Sequence, residues 1–151
     1  MDLLARYPKL IAKPALWRNN RPVLTHLSIR ALTLVDQLEL EFSAGMSAVT
    51  GETGAGKSIL LGALGLALGD RADSSLIASG ADKTEINAAF DLEGNEEARE
   101  WLASRELLTE EDCLLRRVVS KDGRSRAFIN GTTTTLTELR ALAEMLSLIH
   151  I

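Results

Sequence analysis

Residues 51–58 read Gly51-Glu52-Thr53-Gly54-Ala55-Gly56-Lys57-Ser58 and fit the pattern G-x-x-x-x-G-K-[ST] at every specified position. Before them, Met46 to Thr50 is a short apolar run of strand character. After them, Lys57 to Leu68 is a helical stretch with almost no polar face. Strand, glycine-rich turn and helix form the context in which this pattern cradles phosphate. The glycines let the backbone curl so that successive N–H groups face one set of oxygens, and the helix N-terminus adds its partial positive charge. In that geometry Lys57 reaches the β- and γ-phosphates as a point charge, and the Ser58 hydroxyl joins the coordination of Mg²⁺. Nucleotide contact is therefore assigned to Gly51, Glu52, Thr53, Gly54, Ala55, Gly56, Lys57, Ser58 and Ile59, and metal contact to Ser58. No residue is assigned a catalytic role. A glycine-rich turn without a ligand is the plainer alternative.

The surrounding chain is that of an ordinary folded protein. Its 151 residues include 21 acidic and 17 basic side chains, a formal net charge of −4, with 46% hydrophobic and 25% charged residues. This suits one globular domain or part of one, and excludes disordered, collagenous and disulfide-built classes. Cys113 is the one cysteine and has no partner for an internal disulfide. No window reaches the ~18 consecutive apolar residues of a membrane span. A reducing, cytoplasmic setting without membrane follows as the expectation. The mildly acidic balance excludes a wholesale basic coat for nucleic acid and leaves room for local basic clusters.

Several further elements are legible from pattern. Leu27, Ile29 and Ala31 alternate with Ser28 and Arg30, and Leu38, Leu40 and Phe42 alternate with Gln37, Glu39 and Glu41, which predicts two half-buried strands paired as a hairpin. An all-apolar helix such as Lys57–Leu68 belongs inside a larger body. Ile86, Ala88, Phe90 and Leu92 mark another strand. Asn95 is placed to cap a helix with Glu96 and Glu97 in its first turn and Ala98, Trp101 and Leu102 inward. Leu114–Val119 and Ser125–Ile129 flank the Asp122-Gly123 turn signal of a second hairpin. Thr135 and Glu138 have capping-box spacing ahead of a last helix with Leu139, Leu142 and Leu146 inward. The four threonines 132–135 are too short to count as low complexity.

Two alternating strands ahead of the phosphate-binding loop are unlike a small-molecule kinase, whose first strand leads straight into it. The segments Leu24–Arg30, Gly51–Asp73 (GETGAGKSILLGALGLALGDRAD) and Leu114–Gly131 (LLRRVVSKDGRSRAFING) closely resemble the start of the RecN family, the bacterial SMC-like ATPases of double-strand-break repair. The resemblance covers roughly Leu24 to Met145. It implies an α/β P-loop NTPase fold, the N-terminal lobe of an ABC/SMC-like ATPase head with an antiparallel β portion, and ATP with Mg²⁺ as ligands. A coiled coil and the C-terminal half of the same head follow in that family; the second half supplies the Walker B acid, the signature motif and the switch histidine, none of which is recognisable here. The implied partners are that C-terminal half, a second head in a homodimer, and DNA, in the cytoplasm at the nucleoid. Alone, the chain is expected to bind ATP weakly without turning it over. Ala31-Leu32 stands where the family commonly has Asn-Phe. Residues 1–22 are expected to be a poorly ordered or mis-annotated extension, 23–145 the lobe itself, and 146–151 a truncation or adaptor-derived tail, so His150 receives no role.

Other candidates have two readings each. Arg71 lies where SMC-like heads often carry an arginine used in head engagement or DNA contact; the plainer reading is a helix-terminal arginine in solvent or paired with Asp70 or Asp73. Arg116, Arg117, Lys121, Arg124 and Arg126 form a basic cluster that either contacts a DNA backbone or keeps a solvated edge strand from aggregating. His26 reads as surface, Cys113 as structural, and Glu110-Glu111 as loop surface. A small P-loop kinase, and a non-catalytic fragment completed by a partner chain, are the competing functional classes.

Overall fold

The structure is a computed structural model and describes residues 17–18, 21–42, 54–110 and 112–146, with side chains over 23–42, 59–110 and 112–146. The expected strand at 46–50, loop residues Gly51, Glu52 and Thr53, Glu111, and the tail 147–151 lie outside the described residues. In chain order the elements are β1 (Trp17–Arg18), β2 (Arg21–Pro22), β3 (Leu24–Leu32), β4 (Val35–Glu41), α1 (Gly54–Ala67), a 3-10 turn (Ser74–Leu76), β5 (Lys83–Phe90), α2 (Glu96–Ser104), β6 (Cys113–Ser120), β7 (Ser125–Ile129), β8 (Thr132–Thr134) and α3 (Leu136–Met145). β1 and β2 pair only with each other. The other six strands make one antiparallel sheet in the order β4-β3-β5-β6-β7-β8.

Alternation decides which way this sheet faces. The register sets Leu27 opposite Ala88, Ile29 opposite Ile86, Ala88 opposite Leu115 and Leu115 opposite Ile129, so these residues share one face. They are nearly or wholly buried and join Ala63, Leu64 and Ala67 of α1, Leu102 of α2 and Leu139 and Leu142 of α3 in one cluster. Burying each such Leu or Ile contributes about 1.5–3 kcal/mol. The opposite face is polar, with Ser28, Asn87, Arg116 and Phe128 in successive register.

Both predicted hairpins form. In the first, Ala31 leaves the expected alternation: its φ is +54°, it is only half-buried, and Leu32 is the residue that turns inward and bridges to Ile77. The second is closed by Lys121–Arg124, where Gly123 takes φ +91° and the Asp122 carboxylate accepts from the Arg124 N–H at 3.0 Å. A third hairpin was not expected. β7 and β8 are joined by the two residues Asn130 (φ +49°) and Gly131 (φ +85°), and both positive values are those that a type I′ turn demands. The strand it creates uses the threonines that composition alone left unassigned.

The caps agree with the sequence in part. The Asn95 carbonyl oxygen accepts from Ala98 N–H at 3.1 Å, while its amide donates to Met145 O at 2.9 Å, tying the start of α2 to the end of α3. Thr135 accepts from Glu138 N–H at 3.1 Å, but the expected return bond of a capping box is replaced: the Glu138 carboxylate takes the Thr134 hydroxyl at 2.8 Å and lies 3.9 Å from Arg105 Nε. Trp101, expected in the core, is half-buried at its margin with the Arg105 guanidinium 3.9 Å above its ring.

The C-terminal end of α1 is a Schellman motif. Asp70 N–H bonds back to Gly65 O at 2.9 Å and Gly69 N–H to Leu66 O at 3.2 Å, with Gly69 at φ +107°. A Cβ on Gly69 would meet Arg140 Cγ at 2.6 Å, and one on Gly65 would strike the Asp70 carboxylate. Gly69→Ala is therefore expected to destabilise the protein by about 1–2 kcal/mol through backbone strain alone, more if Arg140 must move. Urea unfolding of the variant beside wild type checks this.

Candidate nucleotide-binding site

Helix α1 begins at Gly54, inside the glycine-rich motif, three residues earlier than the pattern of apolar residues indicated. The first four N–H groups of a helix lack intrahelical acceptors, and here they belong to the motif itself. Gly54, Ala55, Gly56, Lys57 and Ser58 thus occupy the first turn and a half of α1, while Gly51, Glu52 and Thr53 fall outside the described residues. This chain of donors at a helix start is what a phosphate group requires. Ile59 is half-buried and, with Leu32, Thr33, Gly62, Leu66 and Leu76, lines an open apolar groove of about 240 Å³ between α1 and the β3–β4 turn. The apolar helix is therefore buried on one side and open on another: Leu60, Ala63, Leu64 and Ala67 are enclosed, whereas Gly62 is exposed.

The far end of α1 is held by two arginines. Arg117 Nη1 donates to Leu66 O at 2.9 Å and to Asp70 O at 2.8 Å, and its Nε donates to Ser125 Oγ at 2.7 Å. Arg140 Nε donates to Gly69 O at 2.8 Å. These bonds give side-chain donors to carbonyls in the last turn of the helix and just beyond it, and place positive charge at the negative end of its dipole. Arg117 is wholly buried. Burial, then the neighbouring Arg140, lower its pKa, and Asp70 opposes them; an arginine remains charged throughout.

This corrects the reading of the basic cluster. Arg117 is not on a surface, and β6 is not an edge strand but lies between β5 and β7. Arg116 is paired on the polar face: its Nε stands 2.8 Å from Glu85 Oε1, and its guanidinium lies 5.1 Å from the Phe128 ring centre. Arg124 faces Asp122 at 3.4 Å. Lys121 and Arg126 remain exposed, so the five residues form no single patch. Arg140 and the Gly69 turn were not singled out from sequence. Arg117 had a usable signal, since it shares the alternation of Cys113, Leu115 and Val119, all buried.

Arg71 is exposed on the segment after α1, and among the described residues it makes no ion pair with Asp70 or Asp73; the Asp73 carboxylate instead accepts from Ser75 N–H at 2.8 Å. His26 is half-buried on the polar face, opposite Glu41. Cys113 is buried, and desolvation together with Asp112 pushes its thiol up to about 12, in keeping with a structural residue. Among the described residues no group of three or more His, Cys, Asp or Glu side chains is placed to hold a metal, and no helix is long and apolar enough to cross a membrane.

Three comparisons place the chain among known proteins. Residues 26–146 match the AAA domain family, and the chain belongs to it. It is 52% identical over 128 residues to the DNA repair protein RecN of Vibrio cholerae and 44% identical over 132 residues to that of Haemophilus influenzae, each alignment covering 85% of this chain. The chain spans 23% of the length of these curated relatives. Among solved structures, one from work on ATP-driven dimerization and DNA-stimulated activation of SMC ATPases superposes with a TM-score of 0.67 at 24% identity, covering 83% of this chain and 80% of that one. The Smc head domain of Pyrococcus furiosus gives 0.67 at 24% identity over 82% of this chain and 33% of that one. RecF bound to an ATP analogue gives 0.58 at 16% over 77% and 29%. The fold is accordingly that of SMC-like head domains, as the resemblance implied.

The Glu85–Arg116 pair gives a pH signature. Burial by itself would raise the Glu85 carboxyl, but the Asn87 amide at 3.3 Å, Arg116 and Lys83 outweigh it and hold the group below its usual 4.5. A carboxylate lowered in the folded state stabilises it above the unfolded value, and that contribution is lost as pH falls through the folded value. The gap in unfolding free energy between wild type and Glu85→Gln should shrink as pH is taken from about 6 to about 3. Urea melts at the two pH values measure it; an unchanged gap would contradict the assignment.

Proposed function

We propose that the chain is the ATP-binding N-terminal half of a RecN-like DNA repair ATPase acting in recombinational repair of double-strand breaks. The observation that carries this reading is the Gly51–Ser58 motif running into a helix that starts at Gly54, set on an SMC-like sheet. In it, Gly51, Glu52, Thr53, Gly54, Ala55, Gly56 and Ile59 would contact the nucleotide, Lys57 would offset the charge of the β- and γ-phosphates, and Ser58 would join the coordination of Mg²⁺. Bound Mg²⁺ and nucleotide would supply the charge that drives head engagement. The greater length of the relatives, of which the chain spans 23%, supports a C-terminal half that brings the water-activating acid and the signature motif. Two such heads would close on ATP as a homodimer at DNA, in the bacterial cytoplasm at the nucleoid.

The apolar groove beside α1 favours the related view that another polypeptide surface completes the site. Among the described residues, an antiparallel strand pair, β3 and β4, precedes the motif, which weighs against a self-contained small kinase. With a fluorescent ATP analogue and Mg²⁺, the chain should bind weakly, with a Kd of about 10–100 μM, roughly −5 to −7 kcal/mol, and Lys57→Ala should abolish binding. Phosphate release should not exceed background. Hydrolysis well above background that disappears in Lys57→Ala would refute the half-site reading.

A further inference from the structure

The buried guanidinium at the end of α1 has no role in the nucleotide chemistry just described, yet its geometry bears on it. Arg117 projects from the middle strands of the sheet and uses one nitrogen, Nη1, to hold two carbonyls on different segments: Leu66 O in the last turn of α1 and Asp70 O beyond the Gly69 turn. Ser125 on β7 fixes the other side of the guanidinium through Nε, and Arg140 on α3 secures Gly69 O between the two clamped carbonyls. Elements from three parts of the chain therefore converge on one helix terminus. An aliphatic side chain would fill the same inward position without carrying a desolvated charge into the core. The arginine adds direction: a planar fork that fixes where α1 ends and how it tilts on the sheet.

A helix of 14 residues is about 21 Å long and moves as a rod. Anchoring one end on the sheet sets the other, where Lys57 and Ser58 stand, and the same nitrogen ties in the segment that carries Arg71. We propose that Arg117 is a positioning residue for the nucleotide site: through α1 it sets where the helix start at Gly54–Ser58 sits relative to the sheet, and it links that helix to the Gly69–Asp73 segment. The inference rests on the nucleotide-binding reading above.

Its test is Mg²⁺-dependent binding of a fluorescent ATP analogue by the 151-residue chain, carried out well below the melting temperature of every protein compared. Arg117→Met should raise Kd roughly tenfold, the scale on which loosened sites lose function. Arg117→Lys, which keeps the charge and reaches one carbonyl, should recover part of the loss, and Ser125→Ala should show a smaller loss of the same kind. Arg126→Ala, an exposed neighbour, should bind like wild type. A role in packing alone would lower the melting temperature of Arg117→Met and leave Kd within about twofold of wild type in the folded protein, and that outcome overturns the proposal. Should Arg117→Met fail to melt cooperatively, wild-type affinity in both Arg117→Lys and Ser125→Ala overturns it. Absence of Lys57-dependent binding in wild type overturns the nucleotide reading itself, and this inference with it.

Discussion

A charged guanidinium sealed inside the protein has to find its hydrogen bonds there, and Arg117 finds two at the end of α1 through Nη1 and one on Ser125 through Nε, while its buried Nη2 has no partner among the described residues. Breaking such an arrangement leaves an uncompensated buried charge, which is among the costlier defects a core can carry. Helix and sheet are thus bound by more than apolar contact. Leu60, Ala63, Leu64 and Ala67 tolerate small slides of α1 over the sheet, because dispersion and burial have little direction. Carbonyls held at 2.8–2.9 Å do not.

The residues near that helix end are arranged around this contact. Gly69 turns the chain at positive φ so that Asp70 O comes back within reach of Arg117, and its missing side chain leaves room for Arg140. Gly65 gives the Asp70 carboxylate space against the last helical turn. Arg140 comes from α3, whose end is tied through Asn95 to the start of α2. The two later helices therefore help set the end of the first, and the cluster they share on the inner sheet face makes the lobe one packed unit.

The other side of α1 is less finished. Gly62 is exposed and the groove beside it is lined by apolar side chains, as suits a helix whose sequence is apolar all round. The chain spans 23% of the length of its curated relatives. Membership of the AAA domain family and the SMC-like fold go with a lobe whose α1 starts within the glycine-rich motif and is held by the sheet at its other end.

Much of this was legible in the residues. Alternation located β3, β4 and β5, the Asp122-Gly123 turn signal located β6 and β7, and the capping residues Asn95 and Thr135 located α2 and α3, because these signals are local and need only neighbours a few positions away. The Asn130-Gly131 turn was equally local, and its dipeptide is a strong hairpin signal that the run of threonines obscured. Arg117 is different. Its parity in β6 pointed inward, but its flanking charge pointed outward, and only the partners decide between the two: Leu66 and Asp70 lie 51 and 47 residues away. The chain by itself determined the glycine-rich motif, the strand periodicity and the helix caps. Which arginine is buried, and which helix end it holds, was decided by tertiary structure, because a buried charge is tolerable only where distant carbonyls converge to receive it.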